Sequence, residues 1–351
     1  MTDIRIEQLS KWTAQQLGLA SAPLSVVSGD ASFRRYFRAN DSKQNRSLIA
    51  VDSPPDKEPI ASFVQVTDLL SSAGVLVPEI IAASHEQGFM LLQDFGDQLL
   101  LPVLTDFETA DILYKQAIDT LIQLQSSINS HSVGLPPYDS ELLHREMELF
   151  REWFIGQHLG LELSEKEHLM LDKWFDEVAR NVLSHPQVAV HRDYHSRNLM
   201  MVAGENRPGV IDYQDAVVGS YVYDLVSLLK DCYIRWPREQ QLQWVDYFHA
   251  QSSQHSLSYP ALAAVVQDFD WMGIQRHIKV AGIFCRLNYR DGKSSYLNDI
   301  PLTLGYLVEA LKDYDEFSPV VKWFEQRLAP VLKEKNCMWL DFNDQDTGKQ
   351  P

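Results

Sequence analysis

His191-Arg192-Asp193-Tyr194-His195-Ser196-Arg197-Asn198 stands between two apolar runs, Val188–Val190 before it and Leu199–Val202 after it. A third run closes on Val210-Ile211-Asp212-Tyr213. The octet is polar and charged, so it reads as a loop suspended between strands. Ala203–Gly209 supplies a turn, which makes 199–211 a short hairpin ending on Asp212. Around this β-rich island the periodicity predicts helices at about 107–127, 140–159 and 164–183 before it. After it they resume at about 222–234, 238–251, 259–285, 300–313 and 317–334.

Upstream the pattern is different. Residues 3–18 read as an amphipathic helix with Ile4, Leu9, Trp12 and Leu17 on one stripe. Strands follow at Leu24–Ser28, Tyr36–Ala39 and Leu48–Val51, then a helix over Ile60–Ala73 stopped by Gly74, then strands at Ile80–Ser84 and Phe89–Leu92. Asp94-Phe95-Gly96-Asp97 breaks the pattern and reads as a hinge. The expected class is α+β. Residues 1–93 form a small antiparallel β-lobe, 94–97 the hinge, 98–342 a larger helical lobe, and 343–351 a polar, frayed tail. A cleft between two lobes is where a small ligand usually binds.

Composition narrows the partners. With 45% hydrophobic residues, including 8 Trp, 14 Tyr and 15 Phe, the chain can bury a sizeable core. Its formal net charge of −17 argues against nucleic acid and anionic membrane as partners. A few local cations and Mg²⁺ can override that field at an anionic nucleotide. Cys232, Cys285 and Cys337 form no CxxC pair, so neither a disulfide framework nor structural zinc is expected. No signal peptide and no long apolar span are visible, and the expectation is a cytoplasmic monomer.

Phosphoryl transfer needs a carboxylate for the attacking hydroxyl, oxygen ligands for Mg²⁺, a crevice for the nucleotide base and positive charge against the growing negative charge. Asp193 and Asn198 are far enough apart for one loop to return on itself. That loop can then offer a base and a metal ligand together, and the hairpin brings Asp212 as a second hard-oxygen ligand.

The stretches HRDYHSRN and IDYQDAVVGSYVYD resemble the aminoglycoside phosphotransferase and choline kinase superfamily, which shares the protein-kinase-like fold. The resemblance implies that Asp193 is the catalytic base and that Asn198 and Asp212 bind Mg²⁺. It also implies that ATP is the phosphate donor bound by the β-lobe. His191 and Asp224 would be structural, with Asp224 bracing the loop; Asp224 also reads as a simple helix N-terminal charge. GDASFRRYFR (29–38), LIAVDSPPDKEP (48–59), GFMLLQDFGD (88–97), HRDYHSRNLM (191–200) and GIFCRLNYRDGKSSYLNDIP (282–301) carry a more specific resemblance. It is to bacterial anomeric N-acetylmuramate/N-acetylglucosamine kinases, which phosphorylate the C1 hydroxyl during peptidoglycan recycling.

On the nucleotide side, Gly29, Ser32, Arg34 and Arg35 lie in the loop expected over the phosphates, and Gln93 and Phe95 in the hinge expected to meet adenine. The third strand, Leu48-Ile49-Ala50-Val51-Asp52, carries no Lys, and Gln65 stands where a helix Glu would pair with one. An Arg from the 34–38 loop, Mg²⁺ itself, or Lys57 could replace that Lys. On the acceptor side the candidates are His195, Arg197, Gln214, Asp215, Arg286 and Arg290; the last two suit a lactyl carboxylate or simply a solvated helix end. Tyr223, Trp153 and Phe154 could stack on a sugar or belong to the core.

Two other readings remain. An aminoglycoside or other small-molecule kinase is disfavoured by the Arg-rich block at 286–293. An inactive kinase-like binding protein is favoured by the missing Lys and opposed by Asp193, Asn198 and Asp212 together. A protein kinase is disfavoured because Asp212 is not followed by Phe-Gly and no activation loop or APE motif follows.

Overall fold

The computed structural model describes residues 3–29, 33–130 and 133–342. The chain divides into two compact units. The first runs to Gln98 and includes Leu199–Asp215; the second comprises Leu99–Asn198 and the chain from Ala216 onward.

The first unit is built on an antiparallel sheet of β1 (Leu24–Gly29), β2 (Arg35–Asp41), β3 (Arg46–Asp52), β4 (Ile80–Ser84) and β5 (Phe89–Gln93), in the order β1-β2-β3-β5-β4. Helix α1 (Ile4–Leu17) starts where the Asp3 carboxylate accepts from the N–H groups of Arg5 and Ile6, and ends at Gly18 in the left-handed region. It buries Leu9 and Trp12 against Phe37, Leu48, Ala50, Phe89 and Leu91 of the sheet. The expected stripe is corrected at one position: Ile4 is exposed, and Ile6 packs on the core instead. Helix α2 (Ala61–Ser72) follows β3.

Cross-strand register puts Arg35 opposite Asp52. The Asp52 carboxylate is fully buried, which is tolerable because Arg5 (Nε, 2.8 Å) and Arg35 (Nε, 3.0 Å) both donate to it. Arg38, three residues further along β2, binds Asp94 at 2.6 Å and Asp97 at 2.8 Å. The segment read as a hinge is therefore tied back to β2.

The sequence expectation assigns 199–215 to the helical lobe, but its hydrogen bonds run to the sheet unit. Met201 N–H donates to Gln98 O (2.8 Å), Val210 N–H to Leu76 O (2.8 Å) and Arg207 Nη1 to Gly74 O (2.6 Å). Within it Leu199 pairs with Val210 and Met200 with Gly209. A Cβ on Gly209 would stand 2.6 Å from the Phe95 ring, so only glycine lets that ring pack here.

The second unit is mainly helical. Its helices are α3 (Phe107–Ser127), α4 (Ser140–Leu149), α5 (Glu165–Ser184), α6 (Tyr223–Leu229), α7 (Arg238–Gln254), α8 (Leu262–Asp291), α9 (Ile300–Lys312), α10 (Ser318–Trp323) and α11 (Ala329–Glu334). Helix α4 continues through wider turns to His158. A two-stranded ribbon joins β6 (Gln187–Val190) to β7 (Val217–Ser220). The sequence reading contains no strand at 217–220, and it ends α8 six residues early, at 285.

Helix α8 packs against α4, α5, α6 and α9. Its closest approach is at Gly282, where a Cβ would fall 2.3 Å from the Leu149 carbonyl carbon. Gly282→Ala is expected to cost about 3 kcal/mol, the upper end for overpacking, because backbone rather than a flexible side chain is in the way. Thermal unfolding should register it as a fall in Tm of roughly 5 °C or more; a Tm within a degree of wild type would contradict the packing.

Candidate active site

The loop 191–198 leaves β6 and is held from below by acidic side chains. Asp224, in the first turn of α6, is fully buried and accepts from His191 N–H at 2.7 Å and Arg192 N–H at 3.0 Å. Those bonds hold Arg192 at φ +78°, a conformation that non-glycine residues rarely adopt. Burial pushes the Asp224 carboxyl up to about 6, against the opposing pull of His191 and the two N–H donors. Further along, Asp231 accepts from Ser196 N–H at 3.0 Å and from its hydroxyl, and Tyr194 OH donates to Ala117 O at 2.8 Å. The buried His191 accepts from Asp193 N–H at 3.2 Å. Asn198 Nδ2 donates to the Asp193 carbonyl at 3.0 Å, which orients its amide oxygen to the other side.

Asp193 is half-buried. Burial alone would raise its carboxyl, but the charges of Lys279, His195, Arg276 and Arg192 outweigh that and hold it below the usual carboxylate range. Arg276 and Lys279 are both buried and come from α8. Lys279 Nζ donates to Tyr223 OH (2.9 Å) and pairs with Glu146 at 3.2 Å. Glu146 also takes Arg192 at 2.5 Å and the Tyr138 hydroxyl. Burial disfavours the Glu146 charge, yet Lys279 and Arg192 keep it ionised, below its ordinary value. Arg276 donates to Ser227 Oγ at 2.6 Å. Asp193 is thus an anion facing cations that are themselves anchored by Glu146, Tyr223 and Ser227.

Sequence reasoning missed Glu146, Asp231, Arg276 and Lys279. A signal existed: Arg276 and Lys279 sit inside GIQRHIKVAGIF, where charged residues interrupt an otherwise apolar helix and have to be paired.

The remaining acceptor-side candidates separate. His195 is half-buried, burial lowers its pKa, and its ring lies 5.5 Å from that of Tyr233. Arg197 is exposed, with its guanidinium 3.5 Å from the Tyr233 ring centroid. Arg290 is exposed and bound to Asp291 at 2.8 Å, whereas Arg286 is half-buried. Tyr223 and Phe154 are fully buried core residues. Gln214 and Asp215 belong to the first unit, where Gln214 donates to Asp212 at 2.9 Å.

In the first unit Asp212 also has a left-handed backbone, φ +65°. Its neighbour Tyr213 is buried, with its hydroxyl 2.9 Å from Thr67 Oγ1 and its ring 5.1 Å from Phe63. Phe63 in turn carries Arg34, whose guanidinium lies 5.9 Å from the ring centroid and whose Nε is 3.5 Å from Glu58. Arg34 is buried. Arg35 differs, being bound to both Asp52 and Asp3. Gln93 N–H is engaged with Glu79 O at 2.8 Å, and Phe95 packs on Gly209. Gly29 ends β1, and Ser32 lies outside the described residues.

Among the described residues no group of three or more His, Cys, Asp or Glu gathers as a metal cluster. Asn198 and Asp212 offer an amide oxygen and a carboxylate, hard donors of the kind Mg²⁺ takes when phosphates and water complete its shell.

Comparisons place the chain among known proteins. The family described as "Phosphotransferase enzyme family" matches residues 23–265. A protein of Pseudomonas putida named N-acetylmuramate/N-acetylglucosamine kinase is 38% identical, over 88% of this chain and 92% of its own length. A protein of the same name from Neisseria meningitidis serogroup B is 40% identical, over 89% and 93%. Among solved structures, a choline/ethanolamine kinase family protein from Mesorhizobium loti superposes with TM-score 0.61 at 14% identity, covering 91% of this chain and 98% of that one. The GDP complex of wild-type aminoglycoside 2'-phosphotransferase-IIIa gives 0.59 at 15% identity, covering 89% and 100%. The fold is that of the protein-kinase-like phosphotransferases, and with its profile match and its kinase relatives this chain belongs to the phosphotransferase enzyme family as a small-molecule kinase that transfers phosphate to a hydroxyl.

Proposed function

We propose that this chain transfers the γ-phosphoryl group of ATP to the anomeric hydroxyl of N-acetylmuramate and N-acetylglucosamine, as a cytoplasmic, monomeric enzyme of peptidoglycan recycling. The observation that carries the reading is the 38–40% identity, along nearly the whole chain, to kinases named for those sugars. Among the described residues no helix is long and apolar enough to cross a membrane.

Asp193 takes the C1 hydroxyl. Its cationic surroundings keep it ionised, so it can orient the O–H and accept the proton as the oxygen attacks phosphorus. The bond from the γ-phosphorus to the β–γ bridging oxygen breaks, and ADP leaves with that electron pair. A weakly basic carboxylate suffices, because an anomeric hydroxyl is more acidic than an ordinary alcohol. Asn198 and Asp212 would hold Mg²⁺, which would supply neutralisation of the phosphate charge. Arg34 takes the phosphate contact of the absent third-strand Lys, while Gly29 and Ser32 belong to the loop over the phosphates. Arg35 serves the sheet through Asp52. The Asp94–Phe95 stretch borders the adenine site. His195 and Arg197 would contact the acceptor, and Gln214 and Asp215 follow the proposed metal ligand Asp212 in the chain.

The test is a panel with MgATP and N-acetylmuramate, N-acetylglucosamine, kanamycin or choline. Acid-labile sugar 1-phosphate is the expected product with both sugars. Turnover with kanamycin or choline alone would overturn the assignment.

A further inference from the structure

The two sugars differ by one group. N-acetylmuramate carries a lactyl ether, and with it a carboxylate, where N-acetylglucosamine has a neutral hydroxyl. A kinase that accepts both has to make room for a negative charge that is present in one acceptor and missing from the other.

Helix α8 carries Arg276, Lys279, Ile283, Arg286 and Arg290 at alternating spacings of three and four, which puts them on one face. Along that stripe burial falls steadily. Arg276 and Lys279 are buried, Ile283 and Arg286 half-buried, and Arg290 exposed. The two buried cations act on Asp193 and are already engaged, Arg276 by Ser227 and Lys279 by Tyr223 and Glu146. Arg290 is used by Asp291.

Arg286 differs from both groups in having neither a hydrogen bond nor an ion pair among the described residues, and its Nε, like that of Arg276, is buried without a partner. It stands about 10 Å along the helix axis from Lys279. That separation is within reach of a long side chain and a hexose whose C1 hydroxyl is at Asp193.

The charged groups around Arg286 do not saturate it. Asp291 is held by Arg290, and Glu146 by Lys279, Arg192 and Tyr138. Glu152 acts on it through charge alone, with no ion pair between them among the described residues. Burial, helped by Arg290, presses against its charge more strongly than these carboxylates support it. A half-buried guanidinium with an unmet N–H is the arrangement that a planar carboxylate satisfies, through two parallel charge-assisted bonds.

Resting on the amino-sugar reading above, we propose that Arg286 receives the lactyl carboxylate of N-acetylmuramate and is the residue by which this enzyme takes the acidic sugar as well as the neutral one. It is a specificity residue, with no part in the chemistry at C1.

Steady-state kinetics with each sugar separately, for wild type, Arg286→Ala and Arg286→Lys, test this. In Arg286→Ala, kcat/KM for N-acetylmuramate is expected to fall roughly 10- to 100-fold, mainly through KM, as for a lost charge-assisted hydrogen bond. The value for N-acetylglucosamine should stay within about twofold, and Arg286→Lys should recover part of the loss. The methyl ester of N-acetylmuramate should be a poor substrate for wild type and no poorer for Arg286→Ala. Equal losses on both sugars, or none on either, would overturn the role of Arg286 while leaving the amino-sugar reading intact. Wild type that phosphorylates neither sugar would overturn both.

Discussion

Asp193→Asn is expected to lower kcat about 10³-fold with either sugar while the binding of MgATP stays within a few-fold of wild type. An asparagine is the same size, so the loop should survive: its anchors are Asp224, Asp231 and Tyr194, and none of them bonds to the Asp193 carboxylate. The amide can neither accept the proton nor hold the hydroxyl as an acceptor-only anion, and losses of 10²–10⁴ follow when such a group is removed. The same environment sets a pH signature. Because Lys279, His195, Arg276 and Arg192 together outweigh burial and keep the Asp193 carboxyl below its ordinary value, it stays ionised throughout the neutral and mildly acidic range. The rate should therefore show no acid limb from this group above pH ~4. A variant that keeps kcat within tenfold would remove Asp193 from the chemistry.

Arg34→Ala is expected to lower kcat/KM for ATP about 10²-fold, with little change in the affinity for adenosine, which has no phosphates. Strand β3 presents no lysine, and its central Ala50 is fully buried. Arg34 is a buried cation steadied by Glu58 and by the face of Phe63, and Phe63 packs on Tyr213, next to Asp212. Within the first unit this sets a guanidinium near the proposed metal ligand, and a carboxylate steadies it as the Glu of a kinase steadies its Lys. Glu58→Gln should reproduce part of the loss by loosening Arg34. Arg35→Ala should act differently, leaving KM for ATP nearly unchanged and lowering Tm, because Arg35 serves the buried Asp52. If Arg35→Ala instead produced the ATP defect and Arg34→Ala did not, the assignment would be reversed.

The reaction class could be read from the sequence because it depends on local spacing. One loop carries Asp193 and Asn198, and a short hairpin carries Asp212, so little tertiary information is needed. The sheet was equally readable, since buried residues alternate along the middle of β2 and β5 is a short continuous apolar run, Phe89-Met90-Leu91-Leu92, following Gly88. Other features depended on pairing across long separations. Glu58 lies in Ser53-Pro54-Pro55-Asp56-Lys57-Glu58-Pro59, which looks like plain turn, and only the folded chain brings it to Arg34. The strand at Val217–Ser220 is too short and glycine-interrupted to register, and it exists because β6 needs a partner. The last turns of α8 are polar and end in Arg-Asp, so periodicity fades there before the helix does; Gly292 is the true stop. Arg286 and Arg290 look alike in sequence, and Asp291 is what separates them.

The grouping of 199–215 with the N-terminal sheet also bears on the order in which the protein can fold during synthesis. The first unit is discontinuous: after Gln98 a hundred residues of the second unit are made before Leu199. Until Val210 and Arg207 emerge from the ribosome, the carbonyls of Leu76 and Gly74 lack these donors and Phe95 lacks the glycine surface it packs on. The usual rule, in which the N-terminal piece folds first and alone, cannot run to completion here. A fragment ending at residue 98 should bind holdase chaperones or aggregate, and adding the 199–215 segment in trans should restore protease resistance to its sheet.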